Sequence, residues 1–302
     1  MNLPKKVKIV EVGPRDGLQN EKQSISIDTK IELIQKLTSA GVSYIEAGSF
    51  VNPNWIPQMA GSEEIFLNVQ RSPKTTYAAL TPNVKGYERA IAVNADEVAI
   101  FTAASEAFNQ KNINCTISES LDRFEPVMRM AKEQGIKVRA YVSCVVACPY
   151  EGLINPKKVA EVSKSLLDIG CYEVSLGDTI GVGTPSTIVN MLEECLKVAD
   201  VNQLAVHFHD TYGQALANIY AAMQLGISTI DSSVAGLGGC PYAKGATGNV
   251  ATEDVVYLLQ GLNIDHGIDL SGLIEAGEFI CKQLNRENGS KVARAVLNAE
   301  LP

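Results

Sequence analysis

Two histidines lie two positions apart at the end of an apolar run. His207 and His209 close the segment QLAVHFHD, and alternate residues of a strand project to the same face. Two imidazoles on one face favour metal binding over two histidines that only satisfy neighbouring polar groups. They are two of only three histidines in the chain, and we assign no role to the third, His266, in the polar segment NIDHGID.

Further ligands must come from other parts of the chain. Asp16 follows the first apolar run in GPRDGLQNE, and Asn249 lies in GATGNVATEDV after the last one. One carboxylate, two imidazoles, an amide oxygen and no thiolate favour a six-coordinate Mg²⁺ or Mn²⁺ with two positions open to substrate. Zn²⁺, which prefers tetrahedral sites with softer ligands, is the second choice.

Three polar residues near these ligands are candidates for substrate binding. Arg15 is next to Asp16 and would hold a substrate oxyanion or carboxylate at the metal. The alternative is an arginine–aspartate pair that only closes the fold. Gln19 and Glu46 belong to the same predicted rim, where either residue could orient a ligand or bind water.

The segment GLGGCPYAKGATGN, residues 236–249, has five glycines in fourteen positions. Such a backbone is costly to order, so we expect a closing lid. Cys240 lies within it, between two backbone-breaking residues and near Lys244, which favours a reactive thiol acting as nucleophile or proton donor. A phosphate cradle is disfavoured, because the segment lacks the Gly-Lys-Ser/Thr ending of a P-loop. We interpret Glu253 and Asp254 as structural, at the positive end of the following helix.

Strands and helices alternate along the chain. Eight β-rich runs are predicted to be strands: VKIVEV, SYIEAGS, TTYAAL, DEVAIF, KVRAYVSC, YEVSLGD, QLAVHFHD and TIDSSVAG. Helix starts are predicted at Asp28, Pro82–Asn83, Ser118 and Pro185–Ser186.

Eight such units fit a (β/α)8 TIM barrel, in which chemistry occurs at the carboxyl ends of the strands. No GxGxxG follows the first strand, which weakens a dinucleotide-binding alternative. We predict one barrel domain over residues 1–302. Residues 263–302 would form a C-terminal helical extension, packed on the barrel or on a second subunit.

Composition excludes several classes of function. The 302 residues carry a net charge of −8, so no basic field is available for nucleic acid. No apolar run approaches the roughly 18 residues of a membrane span. The first twelve residues, MNLPKKVKIVEV, form too short a segment for a targeting peptide. The seven scattered cysteines indicate reduced thiols. Together these features predict a soluble cytoplasmic protein.

Three motifs, GPRDGLQNE, HFHDTYG and GLGGCPYAKGATGN, resemble those of the DRE-TIM metallolyase family, and within it the 3-hydroxy-3-methylglutaryl-CoA (HMG-CoA) lyase branch. The similarity runs nearly end to end. Condensing enzymes of the family have Asn-Asp after the histidine motif, whereas this chain has His209-Asp210-Thr211, which favours the lyase branch. The resemblance implies that four residues bind the divalent cation, namely Asp16, His207, His209 and Asn249.

The same resemblance implies that Arg15 binds substrate, that Cys240 is the catalytic residue of the loop, and that Glu46 and Asp178 occupy active-site positions. We also count His207 among the catalytic candidates. The implied reaction cleaves HMG-CoA to acetyl-CoA and acetoacetate, as in leucine degradation and ketone body metabolism, and the implied assembly is a homodimer.

Three other functions are kept open or set aside. A related acyl-CoA lyase, or an enzyme that condenses acetyl-CoA with 2-oxo acids, is the alternative. A barrel that only senses a metal or thioester is disfavoured because every motif is retained. A metal-dependent hydrolase usually has its histidine pair on the first strand, whereas here the pair ends the seventh.

Overall fold

The computed structural model describes residues 3–239 and 248–299, and eight parallel strands form its centre. Each strand pairs with its neighbours in chain order, and the last strand pairs with the first, which closes the ring. The predicted (β/α)8 TIM barrel is therefore confirmed. The strands are β1 (Lys8–Glu11), β2 (Tyr44–Ser49), β3 (Thr76–Leu80), β4 (Glu97–Ala103), β5 (Lys137–Ser143), β6 (Glu173–Asp178), β7 (Leu204–Phe208) and β8 (Thr229–Ser232).

Helices follow the strands and bury their apolar faces against the barrel. They are α1 (Ile27–Ser39), α2 (Ser62–Asn68), α3 (Val84–Ala92), α4 (Glu106–Ile113), α5 (Ile117–Gln134), α6 (Pro156–Asp168), α7 (Pro185–Cys195), α8 (Ala215–Gln224), α9 (Thr252–Gly261), α10 (Leu270–Leu284) and α11 (Lys291–Ala299). Within the described ranges, no helix combines the length and hydropathy of a bilayer-spanning segment.

Two helices begin earlier than the sequence analysis predicted. Helix α1 is capped by Ser26, so the predicted start, Asp28, lies in its first turn. Helix α5 is capped by Thr116, whose hydroxyl accepts the Glu119 backbone N–H while the Glu119 carboxylate accepts the Thr116 N–H. This reciprocal capping box satisfies two backbone donors, which a cap at Ser118 would not do.

Some elements were not predicted. Helix α4 follows β4, and a short antiparallel hairpin, Ala147–Cys148 with Gly152–Leu153, follows β5. A five-residue π-helix, Gly13–Gly17, follows β1. The six cysteines among the described residues are buried free thiols, in agreement with the predicted reduced state.

The predicted C-terminal extension forms α10 and α11. Helix α10 packs against α1, and α11 packs against α9. Asp254 at the start of α9 does more than face the helix dipole, because its carboxylate accepts hydrogen bonds from the Ser290 hydroxyl and the Val292 backbone N–H. This contact ties the start of α9 to the last helix.

Candidate active site

A cavity of about 890 Å³ opens at the carboxyl ends of the barrel strands. One side of it is polar and includes Arg15 and Asp16 from the π-helix with His207 and His209 from the end of β7. The lining also includes apolar side chains from β3, β4 and α4. Its residues include Leu80, Phe101 and Phe108.

Asp16, His207 and His209 form a compact cluster on the polar side. One ligand atom from each lies within 4.8 Å of the others. His207 Nε2 is 3.9 Å from Asp16 Oδ2, and the two imidazole centroids are 5.5 Å apart. Closure of the barrel therefore brings together side chains that are about 190 positions apart in the sequence, because it places the end of β1 beside β8 and near the end of β7.

The protonation states of the cluster suit a cation. Burial would raise the pKa of Asp16, but the charge of Arg15 and the nearby imidazoles lower it to about 2, so the carboxylate is ionised. Burial, with His207 as a neighbour, lowers the pKa of His209 to about 4, so that imidazole is neutral at pH 7. His209 Nδ1 is buried and has no hydrogen-bond partner among the described residues.

Asn249 lies against the same cluster. Its backbone forms an antiparallel β-bridge with His209. Its side-chain Nδ2 donates to Asp16 Oδ2 at 2.8 Å and to the Leu237 carbonyl at 3.2 Å. The amide is therefore at the predicted place, with its nitrogen toward Asp16. Coordination through its oxygen stays a prediction.

Arg15 is held from two sides. Its Nε donates to Glu46 Oε2 at 2.5 Å, its Nη1 donates to Asp16 Oδ1 at 2.8 Å, and its guanidinium carbon is 5.4 Å from the Tyr141 ring centroid. Gly17 allows this local fold, because a Cβ there would lie 2.7 Å from Ser233 Oγ. The arginine thus lines the cavity with its orientation fixed by two carboxylates.

The other predicted site residues occupy different positions. Gln19 lines the cavity, and its Oε1 has no partner among the described residues. Glu46 lies behind Arg15, buried at 1 % exposure, so its contact with the cavity is indirect. Asp178 is fully buried and accepts the Gly183 backbone N–H at 2.7 Å. Cys240 and most of its glycine-rich segment lie outside the described residues.

The sequence analysis missed Tyr141, which lines the cavity, and two buried residues connected to His207. Tyr141 of β5 lies edge-on to His207, with ring centroids 6.0 Å apart. Asp231 of β8 is 3.2 Å from His207 Nδ1, and Arg139 of β5 pairs with Asp231. A charged residue in the middle of an apolar strand was the only available signal for Arg139 and Asp231, and it does not identify a partner.

Comparison with known proteins assigns the family. The HMGL-like family model matches residues 6–280. This chain belongs to the HMGL-like family. The assignment agrees with the DRE-TIM metallolyase resemblance of the three motifs.

Relatives of this HMGL-like chain match it nearly end to end. A curated Pseudomonas aeruginosa protein named 3-hydroxy-3-isohexenylglutaryl-CoA/hydroxy-methylglutaryl-CoA lyase is 59% identical over 297 residues, which cover 98% of this chain and 99% of the relative. A crystal structure of hydroxymethylglutaryl-CoA lyase from P. aeruginosa has a TM-score of 0.97 at 58% identity, covering 99% of this chain and 100% of the other.

A more distant solved structure carries bound ligands. It is an HMG-CoA lyase from Acinetobacter baumannii in complex with coenzyme A and 3-methylmalate, with a TM-score of 0.93 at 35% identity. It covers 99% of the HMGL-like chain, which covers 97% of it. Because the similarity extends over nearly the whole chain, we assign this chain to the carbon–carbon lyases.

Proposed function

We propose that this chain cleaves HMG-CoA to acetyl-CoA and acetoacetate with the help of a divalent cation bound at Asp16, His207 and His209. The proposal depends on the cluster of these three side chains beside Arg15, in a cavity large enough for an acyl thioester. The names of relatives that match nearly the whole chain support the same substrate.

The donor set fits a hard or borderline cation. Asp16 is ionised, His209 is neutral, and His209 Nδ1 is a buried nitrogen without a partner among the described residues. Asn249 would add an amide oxygen if its side chain turned over. We propose Mg²⁺ or Mn²⁺. The bound cation would lower the pKa of the substrate C3 hydroxyl and orient the adjacent carboxylate.

The reaction is a retro-Claisen cleavage. The C3 hydroxyl loses its proton to a general base, the C2–C3 bond breaks so that C3 becomes the ketone of acetoacetate, and the electrons of that bond pass to the thioester as an enolate. Arg15 would face the negative charge that develops on the thioester oxygen, where a fixed donor stabilises the transition state most. Glu46 would act indirectly, because it holds the guanidinium in place.

The enolate needs a proton before acetyl-CoA leaves. We propose that Cys240 belongs to a lid that excludes water and that its thiol or an imidazole supplies this proton. We predict that Cys240→Ala retains cation and substrate binding, measured by calorimetry, and loses most turnover. A rate near that of the wild type would remove Cys240 from the mechanism. We keep as a further prediction that His207 transfers a proton itself.

The apolar part of the cavity lining bears on the range of substrates. Leu80, Phe101 and Phe108 add hydrocarbon to this lining, and one relative is named for a substrate with a longer branch as well as for HMG-CoA. A related acyl-CoA lyase activity on bulkier C3 substituents is therefore the second candidate. The acetyl-CoA/2-oxo acid condensing reaction has no such support.

An acetoacetate-release assay tests the proposal. We expect HMG-CoA to yield acetoacetate and acetyl-CoA in equal amounts, a chelator to abolish release, and added Mg²⁺ or Mn²⁺ to restore it. Full activity after exhaustive chelation would overturn the cation requirement, and absence of acetoacetate would overturn the substrate. The homodimer and the place in leucine and ketone body metabolism stay proposals from the resemblance, and the cytoplasmic location stays a proposal from the composition.

A further inference from the structure

Asp231 connects the candidate cation cluster to the ionic interior of the barrel. It lies in β8, buried at 1 % exposure, and its Oδ2 is 3.2 Å from His207 Nδ1. The Arg139 guanidinium donates to both of its oxygens, at 2.6 and 3.1 Å, and the Ser175 hydroxyl donates to Oδ2 at 2.7 Å. Three side chains therefore fix this carboxylate in place.

The contact determines which nitrogen of His207 carries the proton. With a guanidinium forked onto both of its oxygens, the Asp231 carboxylate acts as an acceptor, so His207 Nδ1 must be the donor. In the neutral form of the ring, the lone pair is then on Nε2. That atom is the one 3.9 Å from Asp16 Oδ2, in the candidate cation cluster.

His209 provides an internal contrast. Its ring is equally buried, at 6 % exposure, but its Nδ1 has no hydrogen-bond partner among the described residues. The fold therefore selects a tautomer for His207 through a carboxylate, whereas no residue in the described ranges does so through Nδ1 of His209. The asymmetry indicates that His207 is the preorganised ligand of the pair.

We propose that Asp231 is a positioning residue, anchored by Arg139, that holds His207 as the Nδ1–H tautomer with the Nε2 lone pair directed to a divalent cation. The tautomer follows from the contacts of Asp231 with Arg139 and His207, and the benefit to cation binding rests on the proposed function. Loss of such a hydrogen-bond partner behind a metal-ligating histidine typically lowers metal affinity by roughly 10- to 100-fold.

Nitrogen NMR of the histidine-labelled, metal-free protein tests the tautomer. Long-range ¹H–¹⁵N correlations distinguish protonated from bare ring nitrogens, and three histidines give a simple spectrum, assigned with a His207→Gln variant. We expect the wild-type His207 to carry its proton on Nδ1. A proton on Nε2, or a mixture of tautomers, would overturn the proposal without any variant having to fold.

Two variants test the consequence. Asp231→Ala removes the acceptor, whereas Glu173→Gln perturbs the same buried cluster through Arg139 without contacting His207. We expect Asp231→Ala to lose the fixed tautomer and to raise the Kd for Mn²⁺ about 10- to 100-fold by calorimetry. We expect Glu173→Gln to keep both properties. If Glu173→Gln weakened Mn²⁺ binding equally, the role of Asp231 would be merely structural and the proposal would fail.

The failure of the proposed function has a different signature. A wild-type protein that binds no Mn²⁺ would refute the cation site, whereas the NMR tautomer would still report on Asp231. Conversely, a wild type that binds Mn²⁺ with a mobile His207 tautomer would refute the role of Asp231 and leave the cation site intact.

Discussion

At the scale of single residues, the site combines charges that neutralise one another before substrate arrives. Arg15 is shared between Asp16, which belongs to the cation cluster, and Glu46, which does not face the cavity. A cation on Asp16 would compete with the guanidinium for that carboxylate. Arg15 would then keep Glu46 as its anchor and present its remaining donors to substrate.

The first prediction concerns Arg15. Arg15→Met removes a donor whose value is greatest when charge develops on the thioester oxygen, so we expect kcat to fall about 100- to 1000-fold with a smaller change in KM. Steady-state kinetics on HMG-CoA measures both. Arg89→Met is the matched control, because Arg89 pairs with Glu63 at a distance from the cavity. Weaker binding with unchanged turnover of bound substrate would rule out the role assigned to Arg15.

The second prediction concerns the histidines. His207→Ala removes one of three donors that lie within 4.8 Å of one another, so we expect the purified protein to lose its equivalent of bound cation. His266→Ala is the control, because His266 is outside the cluster and its Nδ1 accepts the Ile268 backbone N–H. Elemental analysis gives the stoichiometry. The same cation content in both variants would refute the assignment of His207 as a ligand.

At the scale of elements, the sequence predicts more about strand ends than about strand interiors. The apolar runs ending at His207 and before Asp16 placed the cluster correctly, because parallel strands of a closed barrel present their carboxyl ends at one rim. The partners of Arg139 could not be predicted. They come from β6 and β8, up to 92 positions away, and only the strand register brings them together.

Helix starts show the same limit at short range. Ser118 and Thr116 are both acceptable caps by residue type, and the structure selects Thr116 because Glu119 lies three positions after it and completes the capping box. The π-helix Gly13–Gly17 could not be predicted, because its geometry depends on close packing against Ser233 and Leu237 from the opposite end of the chain.

The third prediction tests this cap. Thr116→Ala removes the acceptor for the Glu119 backbone N–H, so we expect the free energy of unfolding to fall by about 1 kcal/mol. Ser118→Ala alters an exposed hydroxyl in the first turn of the same helix and should change stability little. Urea unfolding followed by circular dichroism compares the two. Equal losses would show that the cap at Thr116 does not determine where α5 begins.

At the scale of the whole molecule, two buried carboxyl groups join the first strand to the end of the barrel. Glu11 of β1 accepts the Val234 backbone N–H at 2.9 Å and the Thr252 hydroxyl at 2.7 Å. Glu253 of α9 accepts the Ala235 backbone N–H at 2.9 to 3.0 Å. These contacts hold both ends of the segment that contains the predicted lid.

Both carboxyl groups titrate far from their usual range. Burial raises the pKa of Glu11 to about 7 and that of Glu253 to about 8, although the hydrogen bonds they accept act in the opposite direction. The usual pKa of a glutamate carboxyl is 4.5, so between pH 4.5 and 8 the folded protein holds protons that the unfolded chain has released. The free energy of unfolding must therefore fall as the pH rises through this window.

The fourth prediction follows from that sign. Glu253→Gln keeps an acceptor for the Ala235 N–H and removes the charge. Between pH 6 and pH 9 the free energy of unfolding of the wild type should fall by on the order of a few kcal/mol, and we expect that of the variant to fall less. Unfolding in urea at a series of pH values measures this difference, with Glu64→Gln on an exposed face of α2 as the control. Because an uncharged amide cannot ionise, the free energy of unfolding of the variant relative to that of the wild type should rise steadily with pH. Wild-type and Glu253→Gln curves that stay parallel over the range would show that Glu253 is ionised throughout, and that the barrel closure tolerates a buried charge at this position.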